Sequence, residues 1–339
     1  GMVAVGTGQA PVTPGQPVKV PTSQELYKPL VLDVTFADKK LSGKETVVDV
    51  QTQYCTATLS SYGAVLNSLD FKEHHGKANK PLRTVFNKGA FDPELRKQGC
   101  FLLALDQQTP YEYTLVDKRK TDKQTEVIFK TETEQWVITK TYFFHHDSYQ
   151  IDLALSCEPK VSAPEAIVPR LFFAAPVVQA LEDDAISLFT WNESKQAVDT
   201  IETPQAQGNA WFWTIKNPMF GAQDRYFVHT LINDPSKFVQ RGYVKQFDPK
   251  SIFPVLEGPS LTAKADWKMS FYMGPKLTDH LNAVDDRLEE VLSFGWLSWL
   301  CKLLLKLLSW LYDFVGNFGV AIIIMTIVLK LPFTPLSIY

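Results

Sequence analysis

The stretch "TEVIFKTETEQWVITKTYFFHHDSYQIDLALSCEP", residues 125–159, reads as three strands with a turn at "HHDS", residues 145–148. Its residues are β-branched and aromatic, and no amphipathic helix interrupts it. The pattern extends both ways. "VVDVQTQY" sets Val48, Val50, Thr52 and Tyr54 against Asp49, Gln51 and Gln53. "SSYGAVLNSLDF" gives a turn at Tyr62-Gly63 and another strand. "DRYFVHTLI" adds one more, and "WKMSFYM" alternates Trp267, Met269, Phe271 and Met273 against Lys268, Ser270 and Tyr272. Strands recurring this regularly from residue 30 to 285 predict one large, two-sheet antiparallel sandwich, mainly β. No internal repeat is visible. "KEHHGKANKPLRTVFNKG" and "KSIFPVLEGPS" read as exposed loops.

Bulk properties agree. The 339 residues are 45% hydrophobic and 21% charged, and the net charge of −3 carries no field that would draw nucleic acid. No zinc-finger spacing, RNA-binding run or basic stripe occurs. The 12% aromatic content and 21 prolines favour strands and turns over a helical bundle. Cys55, Cys100, Cys157 and Cys301 lie far apart, and no CxxC occurs. They read as free, mostly buried thiols, a bridge among the first three being the alternative in an oxidising compartment. The N-terminus lacks a basic stretch followed by an apolar one, so no signal peptide is expected. The leading Gly reads as a cloning scar. Residues 1–24, rich in Pro, Gly, Thr and Val, read as a flexible linker to something upstream.

The character changes near residue 275. "GPKLTDHLNAVDDRLEEVL" places Leu277, Leu281, Val284 and Leu288 at helical spacing. Residues 286–313 form a helical segment that includes "SFGWLSWLCKLLLKLLSWLYD". There Ser298, Lys302, Lys306, Ser309 and Asp313 make one narrow polar stripe among leucines, with Trp296, Trp299 and Trp310 at or near the ends. That is the pattern of an interfacial helix, apolar face in the acyl boundary, lysines toward headgroups and Trp at the membrane surface. A helix buried in a soluble core is the alternative. Residues 314–339 follow. From Phe314 to Leu336 the only charge is Lys330, and 23 residues can cross a ~30 Å hydrocarbon core. A lysine there costs about 2.5–3.5 kcal/mol at the centre. It faces a polar partner or snorkels to the headgroups; position alone leaves both open.

The block "GWLSWLCKLLLKLLSWLYDFVGNFGVAIIIMTIVLKLPFTPLS" closely resembles the YidC/Oxa/Alb family of membrane protein insertases. The order is an aromatic-rich amphipathic helix, Gly316-Asn317-Phe318-Gly319, the isoleucines 322–324, the basic Lys330 and Pro335-Leu336-Ser337. Weaker, collinear likeness runs upstream through "VQTQYCTATLSSYGAVLNSLDF", "ITKTYFFHHDSYQIDLAL" and "SFYMGPKLTDHL", so it covers residues 30–339. The resemblance implies a periplasmic β-supersandwich of galactose mutarotase type over residues 25–285, an interfacial helix, and the start of the second membrane helix, all in a Gram-negative inner membrane. It implies Lys330 at the place where family members carry a basic residue, usually Arg, in a hydrophilic groove. It implies nascent membrane proteins, Sec translocon components and the lipid bilayer as partners, no cofactor, no metal, no nucleic acid and no catalytic residue. The chain would then be a fragment, since a groove needs helices it lacks. No GxxxxGK[ST] nucleotide motif occurs. The alternative is a membrane-tethered, carbohydrate-binding or mutarotase-like sandwich. That chemistry needs a His and a carboxylate converging in one pocket, from among His74, His75, His145, His146, His229 and His280.

Overall fold

Trp136, Ile138, Lys140, Tyr142 and Phe144 are all buried along one strand, and the residues between them are half exposed. That period-two pattern organises the molecule. The computed structural model describes residues 17–19, 43–75, 81–86, 99–105, 107, 109–176, 186–202, 209–212, 218–248, 251–292 and 298–330. It divides into two compact units, residues 1–288 and 289–339.

The first unit is mainly antiparallel β. A nine-stranded sheet runs in the order β13 (Ala197–Glu202), β12 (Ser187–Asn192), β15 (Phe220–Gln223), β16 (Phe227–Asn233), β19 (Ala265–Pro275), β10 (Gln150–Pro159), β9 (Trp136–His145), β8 (Gln124–Glu132) and β7 (Thr114–Lys120). A six-stranded sheet runs β1 (Pro17–Lys19), β14 (Asn209–Phe212), β17 (Arg241–Asp248), β18 (Ser251–Glu257), β11 (Arg170–Phe172) and β6 (Leu102–Ala104). A four-stranded sheet runs β2 (Val47–Gln51), β3 (Cys55–Ser60), β4 (Val65–His75) and β5 (Pro81–Val85). The first two sheets meet through aromatic side chains: Phe101 and Phe173 pack on Phe271 of β19 at 4.8 and 5.5 Å between ring centres. Bridges Tyr62↔Glu112 and Leu66↔Cys100 tie in the third. Cys55, Cys100 and Cys157 are free and buried, as expected.

Several expectations change. The hydrogen bonding divides the sandwich into three sheets, not two. Residues 17–19, inside the stretch taken as linker, pair with β14. "KSIFPVLEGPS" is not a loop: it contains β18, and Ile252, Phe253, Val255 and Leu256 are buried. Pro254 hid this strand, because proline is rare inside sheets; here its carbonyl accepts a bond from the Phe173 N–H at 3.0 Å. "KEHHGKANKPLRTVFNKG" likewise contains the end of β4, with His74 and His75, and all of β5. In β19 Ser270 and Tyr272 are buried along with the apolar set, so the alternation fails where both faces are covered.

The motif Gly274-Pro275-Lys276 anchors the chain as it leaves the sandwich. A Cβ on Gly274 would lie 2.6 Å from the Tyr149 ring. The Tyr272 hydroxyl donates to the Pro275 carbonyl at 2.7 Å. Burial lowers the Lys276 pKa to about 8 against the pull of Asp224. Helix α1 (Thr278–Val284) then sets His280 edge-on to Tyr54 and Tyr149, at 4.7 and 5.2 Å. The long helix expected from Leu277 to Leu288 stops at Asp285. That carboxylate accepts from the Arg287 backbone N–H and from its guanidinium, and the chain continues as a 3-10 helix, Asp286–Leu292.

Candidate membrane-facing site

Among its described residues, unit 289–339 contains two α-helices, α2 (Ser298–Val315) and α3 (Phe318–Lys330). Their junction follows from two residues. Gly316 has φ +67°, the left-handed conformation that ends a helix, and its N–H donates to the Tyr312 carbonyl at 2.7 Å. Asn317 then caps α3: its Oδ1 accepts from the N–H groups of Gly319 at 2.8 Å and Val320 at 3.3 Å. The Tyr312 and Phe318 rings stack across the break at 3.9 Å.

On α2, Lys306, Ser309, Trp310 and Asp313 are exposed. Leu303, Trp310 and Phe314 form a bare apolar band beside that polar stripe, at 55%, 63% and 83% exposure. Leu311 and Ala321 are the buried apolar residues of the pair among the described side chains. On α3 Phe318, Val320, Ile322, Ile323, Ile327 and Val328 are 42–60% exposed. An apolar surface on most sides of a helix is stable in lipid or under other apolar helices, not in water.

Of the residues singled out in the sequence, Lys306 and Trp310 lie exposed on α2, and Lys330 is exposed at the last turn of α3. Trp299 and Lys302 fall on α2 with side chains outside the described set, and Trp296 lies outside the described residues. The 23-residue run from Phe314 is not one helix: Phe314 and Val315 belong to α2. Among the described residues no helix is long and apolar enough to cross a membrane. The 13 residues of α3 span about 20 Å of a ~30 Å core. Residues 331–339 lie outside the description.

Among the described side chains the histidines do not converge; those of His74 and His75 lie outside the described set. His229 is buried in the core, His280 is held by tyrosines, and His146 contacts Thr125 at 2.8 Å. His145 does meet a carboxylate, Asp152, at 3.1 Å. Burial pushes the Asp152 carboxyl up, but bonds from His145, Gln150 and Ser270 outweigh it, and its pKa lies below the usual value. Those donors occupy the carboxylate, which leaves it a structural acceptor. Among the described residues no group of His, Cys, Asp and Glu forms a metal site.

The family model of the YidC periplasmic domain matches residues 47–307. The chain belongs to this family. YidC relatives extend over nearly all of the chain. "Membrane protein insertase YidC" of a Geobacter species is 28% identical, covering 86% of this chain and 56% of its own. That of Syntrophus aciditrophicus is 27% identical, covering 97% and 62%. That of Oleidesulfovibrio alaskensis reaches 44% over 87 residues. The chain thus spans about three-fifths of the length of the first two relatives. Among solved structures, a galactose mutarotase-like protein from Lactobacillus casei aligns with TM-score 0.45 and 10% identity, over 68% of this chain and 100% of its own. A putative aldose 1-epimerase from Escherichia coli aligns with TM-score 0.40 and 9% identity, over 68% and 99%. Likeness at this level bears on neither activity nor ligand. The YidC relatives are named insertases, not sugar enzymes.

Proposed function

We propose that the chain is the periplasmic domain and first membrane-entering segment of a membrane protein insertase in a bacterial inner membrane. The helical pair carries this reading: it is attached to a YidC periplasmic domain and leaves most of its apolar surface bare. In lipid that surface is at home, with α2 lying in the interface, its Trp296, Trp299 and Trp310 at headgroup level and Lys302 and Lys306 toward anionic headgroups. α3 enters the hydrocarbon behind the Gly316–Asn317 turn. Lys330, the only charge from Phe314 to Leu336, would sit in a polar groove completed by further helices. Its ammonium lowers the cost of admitting an acidic or polar segment of a nascent membrane protein. Lipid-facing helix surfaces then release the apolar parts sideways. No bond is made or broken. Contact with Sec translocon components belongs to the same proposal and is supported by the family resemblance.

The test is insertion of a small membrane protein with an acidic translocated segment, by the intact insertase carrying Lys330→Arg, Lys330→Ala or Lys330→Glu. Arg preserves insertion, Ala reduces it and Glu nearly abolishes it. Equal insertion by the Glu and Arg variants overturns the electrostatic role.

A further inference from the structure

The four-stranded sheet ends on β2, "VVDVQ", which pairs with β3 alone. The Ser61 N–H donates to the Thr46 carbonyl at 2.8 Å, and the Thr52 N–H to the Cys55 carbonyl at 2.9 Å. Bonded pairs alternate along an antiparallel ladder, so Val48 and Val50 turn their backbone groups to β3. Those of Val47, Asp49 and Gln51 point off the sheet. Among the described residues one group meets them: Lys118 Nζ donates to the Asp49 carbonyl at 2.6 Å. The next outward amide is already taken, since the Gln53 N–H donates to the His146 carbonyl at 2.9 Å. The open edge is therefore Val47–Gln51. It is in contact with solvent: Val47 is 57% exposed, and Asp49 and Gln51 are exposed.

Open sheet edges pair with other chains unless proline or basic residues blunt them. β1 carries Pro17 and Lys19, β5 carries Pro81 and Arg83, and β7 carries Lys118, Arg119 and Lys120. β2 carries none of these. Two of the β7 lysines stand beside it. Lys118 and Lys120 lie in register with Val127 and Thr125, both buried, and share their face of the sheet. The bond from Lys118 to Asp49 shows that this face looks onto the β2 edge. Arg119 lies on the other face, tied to Asp117. Neither lysine makes an ion pair among the described residues.

We propose that β2 takes up an extended acidic segment of another polypeptide as an added strand, its acidic side chains on the face of Lys118 and Lys120. The backbone edge supplies main-chain hydrogen bonds, and the lysines supply the charge preference. As the strand arrives, Lys118 releases the Asp49 carbonyl to an incoming N–H and pairs with a carboxylate instead. On the opposite face the Asp49 carboxylate, which accepts from the Thr58 hydroxyl at 2.8 Å, calls for neutral residues in the alternate positions of the segment. A second copy of the chain fits less well, because two β2 strands paired about their midpoints set Asp49 against Asp49. The site belongs to the sandwich and is independent of the insertase reading.

The probe is a fluorescein-labelled octapeptide alternating threonine and glutamate, titrated into the purified chain in detergent and followed by fluorescence anisotropy. Its comparisons are the peptide with lysine in place of glutamate and the acidic peptide methylated at its backbone nitrogens. The acidic peptide binds saturably, and more weakly as salt rises. The lysine peptide and the methylated peptide each bind about tenfold or more weakly, the first for its charge and the second for its lost donors. Gln51→Pro removes an outward N–H that β3 does not use, so the edge strand tolerates it. It cuts affinity by about tenfold or more, because the ring removes a donor and holds the incoming strand off. Lys118→Glu combined with Lys120→Glu does the same, while Arg119→Gln, on the other face, keeps wild-type affinity. The proposal is overturned if the lysine peptide or the methylated peptide binds as tightly as the acidic one, or if Gln51→Pro binds like wild type. It is also overturned if the wild-type chain sediments as a dimer that Gln51→Pro dissolves, which makes a second copy the occupant.

Discussion

Lys140 donates from one Nζ to the carbonyls of Ala64 at 2.7 Å, Phe101 at 2.5 Å and Gly63 at 3.3 Å. Ala64 and Phe101 have φ of +45° and +66°, a conformation non-glycine residues avoid. The side-chain nitrogen therefore ties down two strained turns from inside the sandwich. Its presence was legible: "WVITKTYFF" puts Lys140 in phase with Trp136, Ile138, Tyr142 and Phe144, all on the buried face. What the pattern could not show was the acceptor set, which comes from turns some 40 and 77 residues distant. Replacing Lys140 with Met leaves buried carbonyls unpaired, each costing about 1–3 kcal/mol, so the denaturation midpoint of the variant falls well below wild type. Burial also lowers the Lys140 pKa from 10.5 to about 7, against the pull of Cys100. Between those values the unfolded chain holds the proton and the folded chain does not. This residue therefore makes stability rise with pH from about 7 to 10.5 and contributes no slope below 7. Denaturant titrations of wild type and Lys140→Met at pH 6 and 9 isolate that slope, and parallel behaviour of the two proteins refutes it. His229 works in a lower window. Burial holds its pKa down at about 4, from 6.5, although its Nδ1 bonds the Ala174 carbonyl at 2.9 Å. The unfolded chain takes the proton first, so stability is full above pH 6.5 and is lost as pH falls towards 4. His229→Leu removes that loss, and its acid-unfolding midpoint lies lower in pH, relative to its stability at pH 7, than that of wild type.

At the scale of elements, the informative feature is the Gly316–Asn317 turn. Hydropathy alone runs α2 into α3, since apolar residues flank the turn on both sides. The two residues that break the run are the kinds that end and begin helices, so the junction was legible as punctuation. Its consequence, that Phe314 and Val315 belong to the earlier helix, was not. Gly316 is needed for its backbone and not for space, because a Cβ there meets nothing within 4 Å. Gly316→Ala therefore costs about 1–2 kcal/mol, the left-handed penalty, and Gly316→Asn costs less. Asn317→Ala removes the cap of α3 at about 1 kcal/mol, and Asn317→Ser restores most of it. Far-UV circular dichroism of the chain in micelles, melted thermally, ranks these variants. A Gly316→Ala protein that melts like Gly316→Asn shows that the left-handed turn does not form. β18 makes the opposite point about legibility. Its apolar residues are plain in the sequence, yet Pro254 argued against a strand. Only the neighbours, β17 and β11, show why it is tolerated.

At the scale of the whole molecule, the sequence separates a β-rich part from an apolar helical part. That division was legible because the two parts carry different periodicities: period two with buried aromatics in the sandwich, and a polar stripe on a leucine helix after it. Strand order was not legible. β19 pairs with β10 and β16, β11 with β6 and β18, and nothing local encodes those long-range partners. The division predicts where membrane affinity resides. Residues 1–288 form a compact unit whose large aromatic side chains are mostly internal. Residues 298–330 leave Leu303, Trp310, Phe314, Ile322, Ile323 and Ile327 bare. In flotation with vesicles containing anionic lipid, the full chain rises with the lipid and a chain ending at Leu288 stays in the load. Lys306→Glu weakens flotation by roughly an order of magnitude or more at low salt, since each lysine near an anionic surface is worth about 1 kcal/mol and reversal doubles the change. The defect shrinks as salt screens the surface. Trp310→Ala weakens it at all salt concentrations, because that loss is of buried area and not of charge. If the shortened chain floats as well as the full one, the sandwich itself holds the membrane and the helical pair must be packed against something other than lipid.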